Sequence, residues 1–101
     1  MLFRSPHVDE EHVHPHSIEE QTERAMAAIQ SILDKTGATW RDVVKVTKYL
    51  TDFRDADAMH KTMARYFGDW LPASTTVCIN QLSSPGARIE LDMIVALPKK
   101  A

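Results

Sequence analysis

Two short stretches near the C-terminus hold most of the residues able to do chemistry. In Ser74-Thr75-Thr76-Val77-Cys78-Ile79-Asn80 every second side chain is a hydroxyl, a thiol or an amide, and in Ile89-Glu90-Leu91-Asp92-Met93 the two polar positions are carboxylic acids. Side chains alternate between faces along a strand, so Ser74, Thr76, Cys78 and Asn80 share one face, while Thr75, Val77 and Ile79 share the other. Glu90 and Asp92 likewise stand opposite the apolar row Ile89, Leu91, Met93 and Val95. A carboxylate such as Glu90 can hold a water or shuttle a proton. Neither Ser74 nor Thr76 has an identifiable base, and Cys78 has no histidine or helix N-terminus that can be placed beside it, so none of the three reads as a nucleophile. Glu90 has a plain alternative reading as a partly exposed strand residue.

Histidines supply two more possibilities. His12-x-His14-x-His16 in an extended segment would point three imidazoles one way, a pattern suited to zinc or nickel; the alternative is an arm without metal. No further ligand with recognisable spacing accompanies them, so no metal and no cofactor is assigned. His60 borders the apolar positions Ala56, Met63 and Phe67, where it is either a pocket residue or an ordinary helix-flank histidine.

These residues need elements to position them. Ser17-Ile18-Glu19-Glu20 has the form of a capping box, and Ile18, Ala25, Ile29, Ile32 and Leu33 make a one-sided stripe that Gly37 ends, predicting a helix over 17–36. Residues 43–51 predict a strand with Val44, Val46 and Leu50 on one side and Lys45, Thr47 and Tyr49 on the other. Residues 55–70 predict a second helix through Ala56, Met59, Met63, Tyr66, Phe67 and Trp70. Pro85-Gly86 between two strand-like runs predicts a hairpin. Strand 43–51, helix 55–70 and strand 74–82 predict a parallel βαβ unit.

Both helices then cover one face of the sheet. The uncovered face is expected to carry Lys45, Thr47, Tyr49, Ser74, Thr76, Cys78, Asn80, Glu90 and Asp92, with Val43, Tyr49, Leu82 and Ile94 mixed in. An apolar admixture of that kind favours cover by other subunits.

A chain of 101 residues reads as one domain, 17–101, preceded by a segment 1–16 that is either an arm or a remnant strand. Its 44% hydrophobic and 26% charged content is that of a folded protein. A formal charge of −2 offers no basic stripe, which argues against nucleic acid as a partner. One cysteine and no membrane-length apolar run make the cytoplasm the expected location, with no membrane partner.

Several pieces occur together in order: Glu20-Gln21-Thr22 with Ala25 and Ile29, Val43-Val44-Lys45-Val46-Thr47, Leu50-Thr51-Asp52, Tyr66-Phe67, Pro72-Ala73, and Ile89-Glu90-Leu91-Asp92-Met93-Ile94. In this the chain resembles the RidA/YjgF/UK114 proteins, also known as endoribonuclease L-PSP, over about residues 17 to 97. The resemblance implies an α+β, chorismate-mutase-like fold assembled as a homotrimer, with a small-molecule ligand in clefts between subunits. It also implies cofactor-independent hydrolysis of reactive enamines and imines, a deaminase-type reaction.

In that family an arginine directly after Pro-Ala grips the substrate carboxylate, and a glutamate in the last strand positions a water or moves protons. The matching positions are Ser74 and Glu90. Serine has neither the charge nor the planar fork of arginine. Carried over in the same way, Glu90 is the catalytic acid/base, and Ser74, Thr76, His60 and Cys78 are substrate-binding residues. The family's N-terminal hairpin is shortened, leaving Leu2-Phe3-Arg4-Ser5-Pro6 as a possible remnant of its second strand. A non-catalytic ligand-binding or regulatory trimer is the competing reading, ranked above a ribonuclease or translation inhibitor.

Overall fold

In the computed structural model, residues 16–97 are described in full, and residues 2–4 by their backbone. The first long helix starts and stops for local reasons. α1 (Ile18–Thr36) begins at Ser17, whose Oγ accepts the Glu20 N–H at 3.2 Å, and ends at Gly37, in the left-handed region at φ 76° with its N–H bonded to the Leu33 carbonyl. The reciprocal half of the capping box does not form. Glu20 instead pairs with Nδ1 of His16 at 2.8 Å.

α2 (Ala56–Phe67) ends at Gly68, also at positive φ. The helices are joined by the Glu23 carboxylate, which accepts from Arg65 at 3.0 Å and from the Tyr66 hydroxyl. Burial and that carboxylate hold the Tyr66 hydroxyl up at about 12.

The described strands are β1 (Leu2–Arg4), β2 (Val43–Leu50), β3 (Ala73–Cys78) and β4 (Ile89–Val95), in the sheet order β1-β4-β2-β3. β2 and β3 run parallel around α2, as the βαβ pattern predicts, while β4 is antiparallel to both β2 and β1. The result is an α+β fold with both helices against one face of a mixed sheet.

The expected hairpin is not there. The runs flanking Pro85-Gly86 do not pair with each other, because β2 lies between them; Leu50 is opposite Cys78 on one side and Ile89 on the other. Residues 79–88 therefore form a connection that passes over the end of β2, and Gly86 turns the chain at φ 78°. Proline and glycine encode the turn, but not which strand accepts the chain beyond it.

Two side-chain assignments also change. A register shift between Val43 and Lys45 marks a β-bulge. It turns Val43 into the core, fully buried, and Val44 outward, the reverse of strict alternation. The core is then Val43, Val46, Leu50, Ile89, Leu91, Met93 and Val95 against Ala25, Met26, Ile29, Leu33, Met59 and Met63.

The other change is in β3. Its parallel register sets Ser74 opposite Val46, Thr76 opposite Lys48 and Cys78 opposite Leu50. Ser74, Thr76 and Cys78 thus stand on the helix side of the sheet, and Thr75 and Val77 on the uncovered side with Thr47 and Tyr49, contrary to the sequence expectation. Because β3 is an edge strand, most of its residues keep contact with solvent whichever face they take, and composition alone does not orient it.

Candidate functional site

The sheet divides the candidate residues between its faces. On the uncovered side Glu90 is opposite Tyr49, and Asp92 is opposite Thr47. Glu90 is half-buried and Asp92 is 9% exposed, while Ile94, next in the same row, is largely exposed. Among the described residues no helix covers this face. Two carboxylates, a phenol and a hydroxyl in adjacent register make a surface able to hold water and move protons.

On the helix side a cavity of about 210 Å³ opens between α2 and the β2–β3 edge. Its apolar walls are Val46, Met63, Phe67, Trp70, Leu71 and Pro72, and its polar residues are Lys48, His60 and Ser74. The wall is held in place from behind. Trp70 donates from Nε1 to the Val43 carbonyl at 2.9 Å, which anchors the turn after α2, and Phe67 packs edge-to-face on Trp40 at 5.0 Å between ring centroids. His60 and Ser74 are exposed at the rim.

Lys48 is the residue that sequence reading passed over. It occupies a core-phase position between Val46 and Leu50, is only 9% exposed, and has no ion-pair or hydrogen-bond partner among the described residues. Burial pushes its ammonium below the ordinary lysine range. Desolvation, and after it the charge of Lys48, pushes the His60 imidazolium down, against a smaller upward pull from Asp57. The signal was present in the chain: a lysine interrupts the apolar alternation of β2 at the one place where the pattern required a core residue.

The structure therefore brings Ser74 and His60 together around Lys48 and places Glu90 on the other face. Thr76 is paired opposite Lys48 on the helix side, and Cys78 is exposed at the end of β3. Of the histidine triplet, His12 and His14 lie outside the described residues, and His16 is engaged with Glu20. No group of three metal-binding side chains occurs among the described residues.

The approach to β4 is fixed by partly buried polar contacts. Gln21 donates from Nε2 to the carbonyls of His16 and Gly86 at 3.0 Å and accepts from the Arg88 N–H at 2.8 Å. Arg88 forks onto Asp55 at 3.0 and 2.6 Å. These bonds hold the chain immediately before Glu90.

A two-helix, mixed-sheet α+β domain of this order is a known architecture. The structure superimposes with a TM-score of 0.73 on a Mycobacterium tuberculosis member of the YjgF/YER057c/UK114 family, at 30% identity, covering 79% of this chain and 68% of that one. The family model described as endoribonuclease L-PSP matches residues 5–97, and the chain belongs to that family, the RidA/YjgF/UK114 proteins.

Among curated relatives, a RutC family protein of Pyrococcus abyssi is 43% identical over 65 residues, 64% of this chain and 51% of that protein. A Dermatophagoides farinae protein named 2-iminobutanoate/2-iminopropanoate deaminase is 30% identical over 80 residues, 79% of this chain and 62% of the relative. The chloroplastic Reactive Intermediate Deaminase A of Arabidopsis thaliana is 35% identical over 81 residues, 80% of this chain and 43% of the relative. The chain spans about half the length of the first of these relatives. No helix among the described residues is long and apolar enough to cross a membrane.

Proposed function

We propose that this chain processes small reactive molecules of the imine or enamine class by hydrolysis, in clefts assembled between copies of itself. Glu90 acts as the acid/base that activates water, and Ser74, Thr76, His60 and Cys78 supply substrate contacts. Family membership and the deaminase names of two relatives support the reaction class.

The observation that carries the shared cleft is the division of residues just described. Within one copy, Glu90 and the row Ser74, Thr76, Cys78 stand on opposite faces of the sheet. A substrate cannot touch both through the sheet. It can do so where the uncovered face of one copy abuts the exposed β3 edge of the next, and a closed ring of three copies gives each Glu90 one such neighbour. Exposed Val44 and Ile94 on β2 and β4 are apolar surface for that contact.

The test has two arms. Sedimentation velocity reads the assembly, and ammonia release from freshly generated imines reads the reaction. Trimer with activity, and a loss of about a hundredfold or more in Glu90→Gln, is the expected result. A monomer, or a wild-type trimer without activity, overturns the hydrolase reading.

One observation favours a second reading, a trimer that binds ligands without turning them over: the position after Pro72-Ala73 carries Ser74 and so lacks a guanidinium. An inactive wild type that gains imine hydrolysis in Ser74→Arg is the outcome this second reading expects.

A further inference from the structure

The cavity between α2 and the β2–β3 edge contains a chemical group that the hydrolytic reading leaves idle. We propose that Lys48 is a reactive amine, and that the cavity binds small aldehydes or ketones with short apolar chains by condensing them onto its Nζ.

Three features of the site point there. The lysine is nine-tenths buried and has no carboxylate or hydrogen-bond acceptor paired with it among the described residues, so none of these stabilises the charged form against its desolvation. The space it borders is walled by Val46, Met63, Phe67 and Trp70, and its roughly 210 Å³ matches several water volumes of about 30 Å³ each, enough for a molecule of a few carbons. The titratable side chain on the same wall is His60, at the rim, able to exchange protons with solvent. A lysine desolvated in an apolar pocket is a recurrent way to obtain an amine nucleophile near neutral pH.

The step balances without an added cofactor. The Nζ lone pair of neutral Lys48 attacks the carbonyl carbon, and the carbonyl π electrons move to oxygen, which takes up a proton. The attacking nitrogen gives up one proton to leave the neutral carbinolamine, whose hydroxyl departs as water with a proton from His60 at the cavity rim, and the nitrogen's second proton then returns to His60. A carbon–nitrogen double bond to Lys48 forms, one water is released, and no electrons are gained or lost. The groups that set the charge state of the site are Lys48 and His60, with Asp57 one turn earlier on α2 acting on His60. The register neighbours of Lys48, Thr76 and Leu91, carry no charge.

The cavity shares His60 and Ser74 with the proposed hydrolytic cleft, but condensation on Lys48 needs neither Glu90 nor assembly, so its failure is distinguishable from failure of the hydrolase reading. The test is reductive trapping on the whole chain: butanal with cyanoborohydride, the hydride converting any imine to a stable butyl amine, followed by peptide mapping over a pH series. Lys48 is expected to carry the butyl group several-fold ahead of exposed Lys35, Lys45 and Lys61 near neutral pH, with a rate that climbs at lower pH than theirs. Lys48→Arg, which keeps a cation at the position but cannot condense, is expected to leave only the slow labelling of the exposed lysines. Labelling spread over the exposed lysines with Lys48 unmodified, or Lys48 labelled no faster than they are, overturns the proposal without recourse to any variant.

Discussion

The two faces of one sheet depart from their surroundings in opposite ways. Along β2 and β4 the helix-covered face is an apolar core interrupted by one ammonium, Lys48, whereas the uncovered face is a polar surface interrupted by exposed Ile94 and Val44. A lone charge in a core is costly unless it is paired or loses its proton, whereas lone apolar groups on a surface cost little. The comparison separates residues that hold the fold from residues retained for another purpose. On the covered side the exception lines a cavity; on the open side the exceptions lie together at one end of the sheet, beyond Asp92 in the β4 row.

The largest effect that would break this comparison is on stability. Leu50→Ala, in the fully buried row, is expected to lower unfolding free energy by about 2–5 kcal/mol, while Ile94→Ala on the open face costs the isolated chain less than about 1 kcal/mol. Urea denaturation checks both, and equal losses would mean that the open face is covered within a single chain. Next is Gln21→Leu. It removes three bonds that tie His16, Gly86 and Arg88 to α1, and it is expected to cost about 1–3 kcal/mol through the backbone groups left unpaired.

A smaller effect, of opposite sign, belongs to Lys48. Lys48→Met keeps the bulk and removes the desolvated charge, so stability is expected to be unchanged or to rise by up to about 1 kcal/mol. The pH dependence follows from the direction of the shift. The folded pKa lies below the unfolded value of 10.5, so within that window the unfolded chain binds more protons and stability climbs with pH. Melting curves of the wild type should show this climb on approaching pH 10, and Lys48→Met should not. Tyr66 works in the opposite direction only above its ordinary 10.0, since its folded value is held up at about 12.

The smallest effect is a titration. His60 is expected to titrate below 6.5, and the stability it contributes declines as pH falls below that value. Lys48→Met should move its NMR midpoint up, and Asp57→Asn should move it down. An unmoved midpoint in Lys48→Met would separate the two residues and leave the cavity with one functional group fewer.

Much of this is legible in the sequence. Ser17 and Gly37 bracket α1, the Ala56–Met59–Met63 stripe locates α2, and the parallel pairing of β2 with β3 follows from a helix lying between two strands. The candidate residues were legible as a set, but their grouping was not. Ser74, Thr76 and Cys78 read as neighbours of Glu90, and they stand across the sheet from it. Val43 and Val44 exchanged roles because a bulge inserts a residue without any proline or glycine to announce it.

By itself the chain determined what depends on near neighbours: helix ends, turn residues, and the apolar row Ile89, Leu91, Met93 and Val95 of β4. Those features arise from contacts a few positions apart, and each segment carries them wherever it goes. Only the tertiary structure decided which row faced inward on β3, that β4 joined β2 instead of its sequence neighbour, and that an amine ended up buried beside an open cavity. Those outcomes are settled by pairing between segments tens of residues apart, where backbone hydrogen bonds are satisfied in any register and shared burial selects one.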